Sequence, residues 1–213
     1  MMRKLTSTIP DWMEQDLKEL DDQYPALKEA ARIARADANE LIEALKTVGI
    51  WIQECLWEFI NTRDRYTEAI PLLIKYLPKL KYEGNIEAVI RALTIKEAKG
   101  IACKAVIAAY HRGDKMRFNN HAICATNLRT TLTMDYIDDV VEIISEVDQL
   151  IKKKGVYPGY LIYFAEAICK WRLPAKRAII QEKAGAALKN LWKKPMGDNY
   201  RKRLRKALDK LYK

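Results

Sequence analysis

Residues whose types and spacing could support catalysis or metal binding are few in this chain of 213 residues. The two histidines, His111 and His121, lack the i, i+4 spacing that places a pair of metal ligands on one helix face. Asp135, Asp138 and Asp139 form the densest carboxylate cluster and could share a helix face. These three also fall in the first turns of a predicted helix, where the helix dipole favours aspartate without any chemistry. We therefore predict no catalytic residues, no metal ligands and no cofactor.

The cysteines and glycines carry no recognised chemical motif. Cys55, Cys103, Cys124 and Cys169 form no CxxC pair, which excludes zinc-ribbon and thioredoxin motifs. Each lies in an apolar helical pattern, so we expect four reduced, buried thiols with neither disulfide nor zinc. The glycine-containing signatures of dinucleotide-binding, P-loop and serine-hydrolase sites are also missing from the sequence.

Charge is distributed unevenly along the chain. The formal net charge is +10, but residues 151–213 contain 18 Lys and Arg against 4 Asp and Glu, whereas residues 1–150 contain 20 against 24. The C-terminal segment therefore carries a balance of +14 and the rest a balance of −4. This asymmetry predicts an acidic partner for the C-terminal segment, either a protein or a nucleic acid. The alternative is a solvated basic surface that keeps the protein soluble.

The cations best placed for binding lie where predicted helices end or begin in this C-terminal segment. In the last helix, Tyr200, Leu204, Leu208 and Leu211 form an apolar stripe, and the neighbouring cations lie largely off it. The stripe is too narrow to cap the fold and also bind a lipid surface, so no membrane partner is expected. We call the candidate binding set the C-terminal basic rim; it comprises Lys152, Lys153, Lys154, Lys193, Lys194, Arg201, Lys202, Arg205 and Lys206.

The elements that must position these side chains are all predicted to be helices. Apolar residues recur at i, i+3, i+4 and i+7, while no segment shows sustained strand alternation. Prolines open several helices and glycines close others. The predicted helices are Pro10–Gln23, Pro25–Val48, Ile50–Ile60, Tyr66–Leu77, Asn85–Leu93, Lys96–His111, Arg117–Thr130, Asp135–Lys153, Tyr157–Trp171, Pro174–Lys193 and Asp198–Tyr212.

The apolar pattern repeats with a period of 39 residues. Shifting the sequence by this period superimposes Ile86 on Ala125 and then on Phe164, in the first helix of each pair. In the second helix of each pair the same shift superimposes Ile101 on Val140 and then on Ile179. A recurring helix pair cannot bury its apolar face alone, so we predict that successive pairs stack, with equivalent helices in contact.

Two segments carry a resemblance to a known family. The run RYTEAIPLL from Arg65 to Leu73 and the run EAVIRALTIKEA from Glu87 to Ala98 resemble bacterial HEAT-repeat proteins. The resemblance extends over residues 50–150 and implies a right-handed α-solenoid of antiparallel helix pairs with an extended binding surface. We expect one domain, residues 1–213, in which residues 1–48 form capping helices, residues 50–193 form HEAT-like pairs and residues 197–213 form the basic last helix.

One HEAT-like class is enzymatic, and this chain departs from its motif. Bacterial alkylbase DNA glycosylases resemble the chain in length, charge and helix content, and their signature places a Trp directly before an Asp, with a second Asp three residues later. Here Trp57 precedes Glu58, position 61 is Asn61, and Trp12 follows Asp11. We therefore expect a non-enzymatic, cytoplasmic binding module or scaffold for an acidic protein, with a possible inhibitor or immunity role. Nucleic-acid binding through the same cations is the alternative, followed by glycosylase-like activity.

Overall fold

The fold is all-α in the computed structural model, which describes residues 3–4, 24–62, 65–112, 118–154, 158–171 and 173–212. The exception within these ranges is a two-residue parallel pairing of β1 (Arg3–Lys4) with β2 (Ile50–Trp51). The predicted helix Pro10–Gln23 lies outside the described residues. The chain divides into two compact units, Met1–Leu93 and Thr94–Lys213.

The first unit is built around one long helix. The prediction for this helix is confirmed: α1 begins at Pro25, and the turn after its last residue reaches Gly49, which adopts the left-handed conformation with φ +79°. Its apolar stripe, with Leu41 and Leu45 fully buried, contacts β2 and two later helices. The helices of this unit are α1 (Pro25–Lys46), α2 (Glu58–Asn61), α3 (Ile70–Tyr76) and α4 (Glu83–Ala92); α1 contacts α3 and α4, and α2 contacts α4.

The predicted helix Ile50–Ile60 is wrong over most of its length. Only Glu58–Asn61 is helical, because the Glu58 carboxylate turns back on the preceding chain. Its oxygens accept hydrogen bonds from the backbone N–H groups of Gln53 (3.1 Å), Glu54 (2.7 Å) and Cys55 (3.2 Å). A side chain that satisfies three backbone donors stabilises a turn in place of a helix. The turn leaves Cys55 exposed, which contradicts the expectation of four buried thiols; Cys103, Cys124 and Cys169 are buried as expected.

A second carboxylate in the first unit fixes the start of α4. Asp37, on α1, accepts hydrogen bonds from the backbone N–H groups of Lys81 (2.8 Å) and Tyr82 (3.1 Å) and from Asn85 Nδ2 (3.0 Å). The same Asn85 nitrogen also donates to the carbonyl oxygen of Ala34 at 2.7 Å. These bonds satisfy the backbone donors of the two residues that precede α4 and attach the first turn of α4 to α1.

The second unit contains the regular part of the fold. Two predicted helices are interrupted: the segment Lys96–His111 becomes helical only at Cys103, after a 3₁₀ turn and Gly100 at φ +82°, and the segment Asp135–Lys153 is divided at Glu146. The helices are α5 (Cys103–His111), α6 (Phe118–Thr131), α7 (Ile137–Ser145), α8 (Val147–Lys154), α9 (Leu161–Ile168), α10 (Pro174–Lys193) and α11 (Asp198–Tyr212).

Helices that are one repeat apart pack against each other in this unit. The contacts run from α6 to α9 and from α9 to α11 among the first helices of the pairs, and from α7 to α10 among the second helices. First helices also contact second helices: α5 contacts α6, α7 contacts α9, and α10 contacts α11. The three helices α6, α9 and α11 therefore form a continuous row, and this row positions the candidate site described below.

The 39-residue period describes the first helices well and the second helices poorly. Ile86, Ala125 and Phe164 are all buried, as the repeat predicts. Ile101 and Ile179 are instead 57% and 41% exposed, so the predicted match with buried Val140 is wrong.

The second helices keep a different spacing between their core positions. Cys103, Val140 and Ile180 are buried and lie 37 and 40 residues apart. The turn into α5 contains Gly100 and a 3₁₀ segment and is longer than the turns into α7 and α10, so the second helices do not share the spacing of the first helices.

Candidate anion-binding groove

A groove of about 430 Å³ lies along the row of α6, α9 and α11. Among the described residues, five cations and one carboxylate line it. The remaining lining comes from small or uncharged side chains, so positive charge dominates its walls. We call this site the basic groove; its charged residues are Arg129, Glu166, Lys170, Arg203, Lys206 and Lys210.

Three of these cations occupy equivalent positions in successive repeats. Arg129 lies near the end of α6, Lys170 follows the end of α9, and Lys210 lies near the end of α11. The separations along the chain are 41 and 40 residues, which is close to one repeat. Because the three helices are neighbours, their C-terminal turns bring the three cations to the same groove, where the helix dipoles favour positive charge.

Glu166 joins two arginines in the middle of the groove. Arg203 donates two parallel hydrogen bonds to its carboxylate, Nε to Oε1 at 2.8 Å and Nη2 to Oε2 at 2.7 Å, and Arg129 Nε lies 3.2 Å from Oε2. The Arg203 guanidinium also lies over the Tyr163 ring, 4.1 Å from its centroid. The hydrogen bonds from Arg203 to Glu166 raise the pKa of Arg203 further. Arg203 is therefore a fixed, permanently charged group with the geometry that recognises carboxylates.

Lys170 is held by the helix that precedes its own in the row. Its Nζ donates to the carbonyl oxygens of Arg129 at 3.1 Å and Leu132 at 3.0 Å, at the C-terminal end of α6. Burial first, and then the nearby positive charge of Lys99, lower the pKa of Lys170 to about 8. This lysine is therefore partly neutralised just above neutral pH, unlike an ordinary surface lysine.

The structure separates the residues of the C-terminal basic rim. Lys206 lines the basic groove and is exposed. Lys202 lies beside it in an adjoining cavity of about 640 Å³ at the start of α11, which Arg203 and Lys206 also line. Lys152 and Lys193 are exposed at the ends of α8 and α10, whereas the side chains of Lys153 and Lys154 lie outside the described residues.

The remaining rim residues have partners within the fold. Lys194 forms an ion pair with Asp148, which brings the end of α10 to α8. Arg201 donates to the carbonyl oxygens of Trp192 (3.5 Å) and Lys194 (3.4 Å). Arg201 and Arg205 both lie over the Trp192 ring, at 5.3 and 5.9 Å from its centroid. Arg201 is half-buried, so its charge is less available to a partner than the sequence suggests.

The candidate catalytic groups have structural partners. His121 is buried against the rings of Tyr110 and Tyr160, at centroid distances of 5.0 and 5.2 Å. Asp138 accepts a hydrogen bond from Lys183 Nζ at 2.6 Å. Within the described ranges, no group of three or more His, Cys, Asp or Glu side chains is arranged to hold a metal ion.

Sequence reasoning missed four of the five cations of the basic groove, as well as its carboxylate. The rim was chosen from runs of adjacent cations, whereas the groove cations are dispersed along the chain. The spacing of Arg129, Lys170 and Lys210 by about one repeat is the signal that could have found three of them. Arg203 shows a similar relation, since it lies 40 residues after Tyr163, the ring that it covers.

Comparison with protein-family models, curated proteins and solved structures finds no match to this chain. Among the helices of the described ranges, none combines the length and apolar character that a membrane span requires. Function must therefore be inferred from the basic groove itself.

Proposed function

We propose that this chain is a non-enzymatic, HEAT-type binding module that holds an acidic segment of a protein partner in the basic groove. The observation that carries the proposal is the row Arg129, Lys170 and Lys210, which presents one cation from each of three neighbouring helices to the same groove. A row of regularly spaced cations suits an extended anion better than dispersed surface charge does.

The proposed architecture is a right-handed α-solenoid of antiparallel helix pairs, with residues 1–48 as its N-terminal cap. The contacts of α6 with α9, of α9 with α11 and of α7 with α10 support it, because equivalent helices of a solenoid touch mainly their neighbours. The buried first-helix positions Ile86, Ala125 and Phe164 also support a repeat.

The geometry of Glu166 favours carboxylates as the recognised groups. This side chain already receives two parallel hydrogen bonds from Arg203 and an ion pair from Arg129, and its carboxylate remains partly exposed in the groove. A glutamate or aspartate of a partner would meet charged ammonium donors at Lys206 and Lys210. The groove therefore contains an internal example of the contact that an acidic protein segment would make.

Nucleic acid is the alternative partner, and the aromatic residues count against its single-stranded form. Recognition of single strands uses exposed rings on which bases stack. Here the Tyr163 ring is covered by Arg203, and the Trp192 ring is approached by Arg201 and Arg205. Binding of phosphates by the cations alone remains the specific reason to test nucleic acid in parallel.

The experiment compares an acidic peptide with nucleic acid on matched variants. Fluorescence anisotropy would measure binding of a labelled 20-residue glutamate-rich peptide, and of labelled single-stranded and duplex 20-mers, at about 150 mM salt. Arg129→Glu combined with Lys210→Glu should weaken peptide binding at least tenfold. Lys75→Glu combined with Lys81→Glu makes the same change in net charge in the first unit and should change binding less than twofold.

Three outcomes would contradict the proposal. One is an equal effect of the two double variants, and another is an absence of peptide binding. The third is tighter binding of an oligonucleotide with a log K that falls steeply and linearly with log salt concentration, which would favour the nucleic-acid alternative. Circular dichroism melting would verify that each variant folds, and Arg129→Gln with Lys210→Gln would replace the charge reversal if it did not.

A further inference from the structure

Three lysines surround Trp171, which directly follows the groove residue Lys170 in the chain. The Nζ atoms of Lys176, Lys170 and Lys99 lie 4.8, 5.1 and 5.8 Å from the centroid of the indole ring. They come from three different places in the second unit: the start of α10, the residue position just after α9, and the turn before α5. We call this group the lysine cluster.

The lysine cluster has no carboxylate partner among the described residues. Other lysines of the chain do have one: Lys183 pairs with Asp138, and Lys194 pairs with Asp148. Within the cluster, Lys170 donates only to the backbone carbonyl oxygens of Arg129 and Leu132. Three ammonium groups thus approach one ring without a negative charge to offset their mutual repulsion, and the indole ring face offsets only part of it.

Lys170 connects the lysine cluster to the basic groove. Its side chain lines the groove and also lies over the Trp171 ring. A segment bound along the groove would therefore reach the cluster at Lys170, in the middle of the row. Lys170 therefore belongs both to the basic groove, with Lys210 and Arg129, and to the lysine cluster around Trp171.

We propose that Lys99, Lys170 and Lys176 bind a phosphoryl group carried by a phosphorylated serine or threonine of the acidic partner segment. The identity of the carrier rests on the proposed function, but the chemistry of the site does not. A phosphate monoester carries about −1.5 to −2 charges at neutral pH and three acceptor oxygens, which match three ammonium donors. A carboxylate carries one charge and two oxygens, so it would offset less of the positive charge of the three lysines than a phosphate does.

The test compares peptides that differ only at their central residue: serine, glutamate or phosphoserine in the same acidic sequence. Wild-type protein should bind the phosphoserine peptide at least fivefold more tightly than the serine peptide. The increase in affinity of the glutamate peptide over the serine peptide should be less than half as large. Lys99→Met combined with Lys176→Met should abolish the preference for phosphoserine over serine, whatever its effect on the affinity for the serine peptide. Lys104→Met with Lys189→Met, two exposed lysines on α5 and α10, is the matched control and should retain the preference.

A second measurement uses inorganic phosphate alone. At constant ionic strength, phosphate should change the fluorescence of Trp171, and the change should be absent from Trp171→Phe and from the Lys99→Met, Lys176→Met variant. Chloride at the same ionic strength should have no effect.

The two measurements separate the failure of this inference from the failure of the proposed function. Binding of the serine peptide without a phosphoserine preference would overturn the phosphoryl site and leave the proposed function standing. A specific response to inorganic phosphate with no peptide binding would support the site and overturn the proposed function. Loss of the preference in the Lys104→Met, Lys189→Met control would mean that general charge is responsible, and would overturn the site.

Discussion

Two carboxylates, Asp37 in the first unit and Glu166 in the second, both reach from one helix to a neighbouring element, but they serve different ends. Asp37 accepts from two backbone N–H groups and from Asn85, so its charge fixes the start of α4. Glu166 accepts from arginine side chains on the walls of a groove that contains further cations. The first unit uses a carboxylate to order its backbone, whereas the second leaves an excess of positive charge next to one.

The largest expected effect is on the stability of the first unit. Asp37→Ala removes an acceptor from Lys81 N, Tyr82 N and Asn85 Nδ2, and should lower the free energy of unfolding by about 2–3 kcal/mol, since hydrogen bonds to charged groups contribute about that much. Urea denaturation monitored by circular dichroism would measure it. Glu182→Ala, an exposed carboxylate on α10, is the control and should change stability by less than about 0.5 kcal/mol. Similar losses for the two variants would mean that Asp37 has no special role.

Glu166→Gln should strengthen peptide binding, with a free-energy change smaller than the stability loss expected for Asp37→Ala. The amide keeps the shape of the side chain but removes the charge that competes for Arg203 and Arg129, so the basic groove should bind an acidic peptide about three- to tenfold more tightly. That range equals about 0.7–1.4 kcal/mol of binding free energy. The same anisotropy assay would measure the gain. Weaker peptide binding by this variant would show that Glu166 is needed to hold the arginines in place and does not compete with the ligand.

The pH dependence of stability should distinguish Lys170 from ordinary lysines. Its pKa is lowered from 10.5 to about 8 in the folded protein, by burial first and then by the charge of Lys99. Between these two values the unfolded chain binds more protons than the folded protein, so this group makes the protein more stable as the pH rises through that window. The stability of wild type relative to Lys170→Met should therefore increase between about pH 8 and pH 10. Urea midpoints across this range would measure it, and a constant difference would contradict the shift.

The smallest expected effect is that of Cys55→Ser, which should leave stability nearly unchanged because the thiol is exposed in the turn that Glu58 holds. In the native protein one thiol should react with Ellman's reagent at pH 8, more slowly than a free cysteine because partial burial raises the pKa of Cys55, and this variant should lack that reaction. Burial raises the pKa of Cys124 and Cys169 to about 12, so these thiols should react only after denaturation. Rapid reaction of several thiols in the native state would contradict the burial of the second unit's core.

The accuracy of sequence reasoning differed between helices for physical reasons. Helices α1, α10 and α11 are long, keep one apolar face and begin or end at recognisable residues, so their positions follow from periodicity alone. The segment Ile50–Ile60 has a similar composition, but the Glu58 carboxylate binds the backbone ahead of it. No apolar pattern reports such a bond, since it depends on the conformation of the turn.

The sequence predicts the positive charge of the candidate site, but it identifies only some of the residues that carry this charge. The charge balance indicated the C-terminal segment, and the basic groove draws Lys170, Arg203, Lys206 and Lys210 from it. Arg129 lies outside that segment, and the bond between Arg203 and Glu166 spans 37 residues. Counting adjacent cations favours helix ends such as Lys193 and Lys194, whereas proximity between cations in a repeat fold depends on the period.

The regular spacing of the groove cations sets the charge spacing that a partner must have. Packed helices lie about 8–10 Å apart, so Arg129, Lys170 and Lys210, one on or beside each of α6, α9 and α11, divide the groove into steps of about that length. An α-helix rises 1.5 Å per residue, so a helical partner with an acidic residue at every seventh position would repeat its charge about every 10 Å. The acidic residues of such a partner would each lie opposite one groove cation. A partner with acidic residues at every fourth position has a shorter charge spacing, so its second acidic residue would already lie away from the second cation.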